Sequence, residues 1–169
     1  LSKPLPAELG NLSNLRELLV SYNKIEGQIP APLGRLKKLK NLNLEHNQLS
    51  GKLPEALASL TGLYQLYLND NRFEGEIPTD FAGAHQPNLL WVNLANNNLT
   101  GLVPLRVRRY LPDASKYAKI KGLPDYGYTV FVLSGNRLTG AISSEYLQYQ
   151  KTLKFLIPQQ EGFGFSNLK

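Results

Sequence analysis

One period organises this chain of 169 residues. Asn23, Asn47 and Asn71 follow one another at intervals of 24 residues, and Asn97 comes 26 residues later. A glycine stands four residues after each of these asparagines, and a proline stands seven residues after. A period of this length indicates a solenoid, in which every repeat is one structural unit that packs on its neighbours.

Each repeat contains one short segment in which apolar and variable residues alternate. Leu42 and Leu44 enclose Asn43, and Leu66 and Leu68 enclose Tyr67 in the next repeat. Alternation with a period of two predicts a strand with one face turned inward. With one strand in each repeat, we expect a concave parallel sheet of about five strands and a convex side made of extended and 3₁₀ segments.

The asparagines fall where the chain leaves each strand. An asparagine amide both donates and accepts hydrogen bonds, so it can satisfy backbone groups that the turn leaves unpaired. Stacked through the solenoid, these side chains should form a ladder. The glycine and the Ile-Pro pair that follow should send the chain along an extended path, because proline fixes φ and glycine permits strained turns.

The repeat resembles the plant-specific class of leucine-rich repeats, which is marked by Leu-x-Gly-x-Ile-Pro. The resemblance covers Leu1 to Pro104 and resumes from Tyr128 to Ile142. It implies an α/β leucine-rich repeat solenoid. Such repeats are common in plant receptor-kinase ectodomains and in polygalacturonase-inhibiting proteins, although the paired-cysteine caps of those proteins are absent here.

The solenoid is expected to occupy residues 1–154, with an insertion at 105–127. Pro104 to Tyr128 spans 24 positions where Pro30 to Leu39 spans nine, an excess of 15. Residues 155–169 are expected to cap the last repeat, and their Pro-Gln-Gln stretch with Gly-Phe resembles the closing segment of leucine-rich-repeat surface proteins of Bacteroidetes-type bacteria. Because the chain starts in the middle of a repeat, we expect it to be a fragment of a longer protein.

The amino-acid composition excludes several kinds of functional site. The chain has no cysteine, which rules out disulfides, zinc-thiolate sites and a thiol nucleophile. It contains no run of about 18 apolar residues, so no membrane span is expected. No phosphate loop, nucleophile elbow or paired-histidine motif is present, so we expect no enzyme, no cofactor and no metal site.

The net charge of +6 belongs to the C-terminal part of the chain. Residues 1–104 carry nine Lys/Arg and nine Asp/Glu, whereas residues 105–169 carry ten and four. The basic residues of the insertion are interleaved with tyrosines and form a possible second binding site for an acidic partner or a glycan: Arg106, Arg108, Arg109, Lys116, Lys119 and Lys121. The alternative is a solvated loop that covers the sheet, and nucleic acid is not expected because no nucleic-acid motif accompanies the charge.

The variable strand positions should line the concave face and form the main candidate site. Exposed aromatic rings beside amides and a carboxylate suit a peptide or a sugar. Alternatively, the rings of Tyr67 and Trp91 pack on each other and only stabilise the sheet. The candidate ligand-binding residues are Tyr22, Asn43, His46, Tyr67, Asn69, Asp70, Trp91 and Asn93.

The leading hypothesis is an extracellular or cell-surface recognition module that binds a protein, peptide or glycan through its concave face. The alternative is a structural or adhesive spacer within a longer surface protein. An acid–base role for Glu45, His46 and Asp70 is disfavoured, since parallel strands present their side chains side by side at about 5 Å. Ice binding would need a flat array of evenly spaced Asn or Thr, and the sequence does not show one.

Overall fold

The computed structural model describes residues 1–81, 86–102 and 130–139, and for residues 130 and 131 it describes the backbone alone. The described residues form a solenoid with two parallel sheets and three short 3₁₀ helices. The insertion predicted at 105–127 and the cap predicted at 155–169 lie outside them.

The first sheet has five parallel strands, one from each repeat, and it confirms the strand number expected from the sequence. Neighbouring strands pair so that Leu18, Leu42, Leu66 and Val92 follow one another in register. In sheet order the strands are β1 (Glu17–Leu19), β3 (Asn41–Asn43), β5 (Gln65–Tyr67), β7 (Trp91–Asn93) and β9 (Val130–Val132).

A second parallel sheet of four strands follows the turns, where the sequence had predicted only an extended path. Extended segments of successive repeats lie side by side, so their backbone groups pair instead of remaining open to water. The strands are β2 (Glu26–Gly27), β4 (Gln48–Lys52), β6 (Arg72–Glu76) and β8 (Asn98–Thr100). A glycine at positive φ lies within β2, β4 and β6, for example Gly51 at 75°, and Gly101 directly follows β8.

Three 3₁₀ helices return the chain to the core. They are η1 (Ala7–Asn11), η2 (Ala31–Arg35) and η3 (Glu55–Ser59). Each is preceded by a proline in extended conformation, whose ψ of about 130–140° sets the turn into the helix. Within the described residues, no helix is both long and apolar enough to cross a membrane.

The core is a column of aliphatic side chains between the two sheets and the helices. Leu42, Leu44, Leu66 and Leu68 have no exposed surface. Leu18, which occupies the same place in β1, is only partly buried because a neighbouring repeat covers it on one side alone. Burial of each leucine therefore depends on both neighbouring repeats, as expected for a solenoid.

The asparagine ladder predicted from the sequence is present. Asn47 Oδ1 accepts a hydrogen bond from the backbone N–H of Ile25 at 3.0 Å, and Asn47 Nδ2 donates to the carbonyls of Val20 and Leu44. The same pattern recurs at Asn71, Asn97 and Asn136, which are all buried. Each amide thus joins its own turn to the preceding repeat.

Candidate binding face

The outward side of the first sheet and of the turns that follow its strands is here called the concave face. The alternation within each strand creates it, because Leu42 and Leu44 point into the core while Asn41 and Asn43 are half-buried on the other side. It consists of Glu17, Leu19, Ser21, Tyr22, Asn41, Asn43, Glu45, His46, Gln65, Tyr67, Asn69, Asp70, Trp91, Asn93, Ala95, Asn96, Val132, Ser134 and Gly135.

One row of this face has a shared backbone conformation. Where the chain turns off the strands, Tyr22, His46, Asp70 and Asn96 have φ between 51° and 55°, and Gly135 has φ 69°. The left-handed region suits Asn, Asp and His better than a bulky side chain. Tyr22 is therefore held in a conformation that is costly for its residue type, and the residue is 72% exposed.

Side chains in this row contact one another from repeat to repeat. The rings of Tyr22 and His46 stack with centroids 4.2 Å apart and planes 19° apart. His46 Nε2 lies 3.3 Å from Asp70 Oδ2, and Asn96 Nδ2 donates to Asp70 Oδ1 at 2.8 Å. Asn69 Nδ2 also donates to Asp70 Oδ2, at 2.7 Å. Asp70 is thus the centre of a polar cluster that spans three repeats.

A second polar group surrounds Glu45. Asn43 Nδ2 donates to Glu45 Oε1 at 3.1 Å, and Asn43 Oδ1 accepts from the backbone N–H of Glu45 at 3.0 Å. Burial raises the pKa of Tyr67, and the negative charge of Glu45 raises it further. The phenol of Tyr67 therefore remains a neutral hydrogen-bonding group beside a carboxylate.

Tyr67 and Trp91 lie on adjacent strands, as predicted, and both are half-buried. The stacked pair in the described part of the chain is nevertheless Tyr22 with His46. Trp91 Nε1 is buried and has no hydrogen-bond partner. Asn93 Oδ1 accepts from the backbone N–H of Ala95 at 3.2 Å, which holds this amide on the face.

All eight candidate residues of the concave face are therefore placed on one surface. The structure links Tyr22, His46, Asn69 and Asp70 into one cluster and holds Asn43 against Glu45. Sequence reasoning omitted Glu45 and Asn96 from the site. Their register in the 24- and 26-residue steps was the available signal, since Asn96 occupies the place of Asp70 in the following repeat.

The chemistry of the face is hydrogen bonding and ring contact. Among the described residues no group of three or more His, Cys, Asp or Glu could hold a metal ion. His46 and Asp70 form a pair, but Glu45 accepts from Asn43 and belongs to the neighbouring polar group. The basic residues predicted as a second site lie outside the described residues.

Comparison with known proteins agrees with this architecture. Residues 13–73 match a family model described as leucine rich repeat. The fold is a leucine-rich repeat solenoid. A comparison with curated protein sequences gives no significant match. Leucine-rich repeat proteins with known structures, in contrast, match most of the chain.

Three of these structures illustrate how similar they are to this chain and how much of each chain is matched. The crystal structure of PEPR1-AtPEP1 has a TM-score of 0.70 and 30% identity, over 89% of this chain and 19% of that one. A plant ice-binding protein has a TM-score of 0.68 and 30% identity, over 87% and 42%. The Arabidopsis receptor kinase HAESA, in complex with the peptide hormone IDA and the co-receptor SERK1, has a TM-score of 0.67 and 30% identity, over 86% and 21%. The chain thus spans from about a fifth to about two fifths of the length of these proteins.

Proposed function

We propose that the chain is a recognition module, at the cell surface or outside the cell, whose concave face binds a peptide or an extended protein segment. One observation carries the proposal. Asn41 Oδ1, Asn69 Oδ1 and Trp91 Nε1 are buried on this face without a hydrogen-bond partner. An unpaired buried polar atom costs about 1–3 kcal/mol. A ligand that supplies both N–H and C=O groups, as a peptide backbone does, would recover part of that cost when these side chains turn toward it.

The residues of the face suit the anchors of such a ligand. Tyr67 and Trp91 offer ring surface near the middle of the sheet, and large half-buried aromatics commonly dominate binding energy. The amides of Asn43, Asn69 and Asn93 surround them and offer directional contacts. In this proposal the six basic residues of 105–127 remain a rival site, either for an acidic partner or as a cover for the sheet.

The similar structures support the same class of ligand. HAESA is described in complex with a peptide hormone, and RGFR1, at 25% identity and a TM-score of 0.63, is described as a peptide hormone receptor. Several of the matching chains are receptor ectodomains, among them that of SOBIR1 from Arabidopsis thaliana. These descriptions favour a peptide over a glycan and a location outside the cell.

Selection from a displayed library of random peptides tests the proposal. The whole chain serves as bait, and the affinity of the selected peptides is measured by calorimetry. Tyr67→Ala combined with Trp91→Ala should weaken these peptides at least tenfold, because the loss of central aromatic anchors costs more than about 1.4 kcal/mol. The more conservative Tyr67→Phe with Trp91→Phe keeps the fold while removing both polar groups.

The matched control is Arg72→Ala with Glu74→Ala, two exposed residues of β6 on the second sheet. This pair should leave the affinity unchanged. Peptides that lose affinity through the control pair but not through Tyr67 and Trp91 would refute the concave site. If no selected peptide depends on either face, and a glycan array also gives no ligand, the result contradicts the recognition hypothesis and favours the spacer hypothesis.

Ice binding is the function named for one similar structure. In this chain the second sheet is the face on which a regular array would have to lie. Its strands, however, expose Glu26, Arg72 and Glu74 at positions where a regular hydroxyl or amide array would be needed. Thermal hysteresis in a solution of the chain would overturn this assignment, and we expect none.

A further inference from the structure

Charge is unevenly distributed between the faces of the solenoid. Residues 1–104 are neutral overall, with nine Lys/Arg and nine Asp/Glu. The concave face nevertheless carries the carboxylates of Glu17, Glu45 and Asp70 and no lysine or arginine at any of its positions. A face with carboxylates and no fixed cation attracts a positively charged group.

Two lysines of the described residues have contacts other than these carboxylates. Lys37 Nζ donates to the carbonyls of Gly34 and Ser59 beside the 3₁₀ helices. Lys40 Nζ lies 4.7 Å from the ring centroid of Tyr64, before the strand begins. Within the described residues the one ion-pair contact is that of His46 with Asp70, so no lysine or arginine is paired with a carboxylate of the concave face.

The carboxylate of Asp70 is held in place, but not all of its hydrogen-bond acceptor positions are used. Its two oxygens receive Asn69 Nδ2 and Asn96 Nδ2 and lie beside His46 Nε2. A carboxylate has about four acceptor positions, so a further donor can be accommodated. The side chain of Asp70 is 27% exposed, which leaves it open to a ligand while its neighbours fix its orientation.

An independent observation on the neighbouring residue points the same way. Asn69 is only 6% exposed, and its Oδ1 is buried with no partner, although its Nδ2 is bound to Asp70. The unpaired atom is an acceptor, and it belongs to the same cluster as the carboxylate. One acceptor of the cluster therefore has no N–H donor, and a small rearrangement of the side chains around Asn69 would let a donor of the ligand reach its oxygen.

The surrounding rings match a planar cation. Tyr67 lies in the strand that leads to the Asn69–Asp70 pair, and the stacked rings of Tyr22 and His46 occupy the row of Asp70 in the two preceding repeats. A guanidinium presents five N–H donors in one plane and stacks on aromatic faces, whereas an ammonium is a hydrated point charge. The donors, the charge and the planar shape together select arginine.

We propose that Asn69 and Asp70, together with Glu45 of the neighbouring polar group and with Tyr67 beside it, bind the guanidinium of an arginine side chain in the ligand. This inference rests on the proposed function, since the arginine is taken to belong to the bound peptide. It adds that one anchor of the bound peptide is an arginine side chain, which contacts the repeats of β3 and β5.

Titration with Nα-acetyl-arginine amide tests the site without knowledge of the natural ligand. Nα-acetyl-citrulline amide is the matched probe, because it has nearly the same shape and no charge. Two-dimensional NMR of the whole ¹⁵N-labelled chain should show saturable shifts of the Asn69 and Asn96 side-chain amides with the arginine probe. The citrulline probe should bind at least tenfold more weakly, and added salt should weaken the binding of the arginine probe.

Asp70→Asn and Glu45→Gln should each weaken the arginine probe several-fold, and the two together at least tenfold. Both changes preserve shape, and asparagine tolerates the left-handed backbone at position 70. Glu74→Gln in β6 removes the same charge from the other sheet and should have no effect. Equal shifts with arginine and citrulline, or shifts that survive the double substitution, would overturn the inference.

The selected peptides separate this inference from the proposed function. Peptides that bind through Tyr67 and Trp91 and contain a required arginine support both. Peptides that bind through these rings with no preference for a basic residue sustain the proposed function and overturn the arginine site. Saturable arginine binding without any concave-face peptide would support the cation site and contradict the peptide-binding function.

Discussion

The side chain of Asn71 reaches across to the preceding repeat and accepts a hydrogen bond from the backbone N–H of Leu49 at 3.0 Å. Its Nδ2 also donates to the carbonyls of Leu44, Leu68 and Asn69 at 2.9–3.2 Å. Because this amide is buried, no water replaces it. The cohesion of neighbouring repeats therefore depends on polar ladder contacts as well as on leucine packing.

Asn71→Ala should lower the free energy of unfolding by about 2–4 kcal/mol, because at least two buried backbone groups lose their partner at about 1–3 kcal/mol each. Urea denaturation followed by circular dichroism measures the change. Asn23→Ala is the control, since Asn23 is only half-buried, its Nδ2 donates only within its own turn to Val20 and Ser21, and its Oδ1 accepts from the nitrogen of Leu1. Equal losses at the two positions would contradict the ladder's role between repeats.

Leu66→Ala should destabilise the chain by about 2–5 kcal/mol, because a completely buried leucine leaves a cavity between two repeats. Leu18→Ala, at the same place in the partly buried first strand, should cost clearly less. Thermal and urea unfolding of both variants provide the comparison. An unchanged melting curve for Leu66→Ala would refute its assignment to the core.

Tyr22 should reveal the cost of its left-handed backbone. Tyr22→Asn and Tyr22→Ala both remove the ring that stacks on His46, but only asparagine tolerates φ 54° readily. We expect the asparagine variant to be more stable than the alanine variant by up to about 1 kcal/mol. At Leu19, an exposed strand residue, the same two substitutions should show no advantage for asparagine. If asparagine is no better than alanine at position 22, the strain is absent.

Tyr67 should make stability depend on alkaline pH. Its pKa is raised from 10.0 by burial and by Glu45, so the folded state retains a proton that the unfolded state loses. The contribution is complete below pH 10 and is lost as the pH rises above that value, so the free energy of unfolding falls there. The effect is the difference between the wild type and Tyr67→Phe in how the free energy of unfolding depends on pH. Glu45→Gln should reduce this difference. A wild-type curve parallel to that of Tyr67→Phe would contradict the account.

The repeated features of the fold were predictable because they depend on residue types that recur. Alternating leucines determined the five strands, and the periodic asparagines determined the ladder. The second sheet was not predicted, because the apolar-x-Gly pattern shared by β4 and β6 indicates an extended path and does not show that the backbone pairs with that of the next repeat. The repeat geometry brings them together, and the local sequence does not signal it.

The placement of the candidate residues on one surface was predictable, but the contacts between them were not. All eight candidate residues lie on the concave face, because strand alternation determines which face a residue occupies. The stack of Tyr22 on His46 depends on left-handed backbone at both residues, which the types Tyr and His do not reveal in isolation. The row as a whole carried a signal, since His, Asp, Asn and Gly, which favour or tolerate positive φ, occupy four of its five positions.

The central claim is that ligands bind the concave face, and hydrogen exchange of the whole chain with a selected peptide tests it most directly. The account predicts that the peptide slows exchange in β3, β5 and β7 and in the turns at His46 and Asp70. It predicts no change in β4, β6 and β8, which form the control surface in the same molecule. Protection confined to the second sheet, or to residues 105–127, would contradict it.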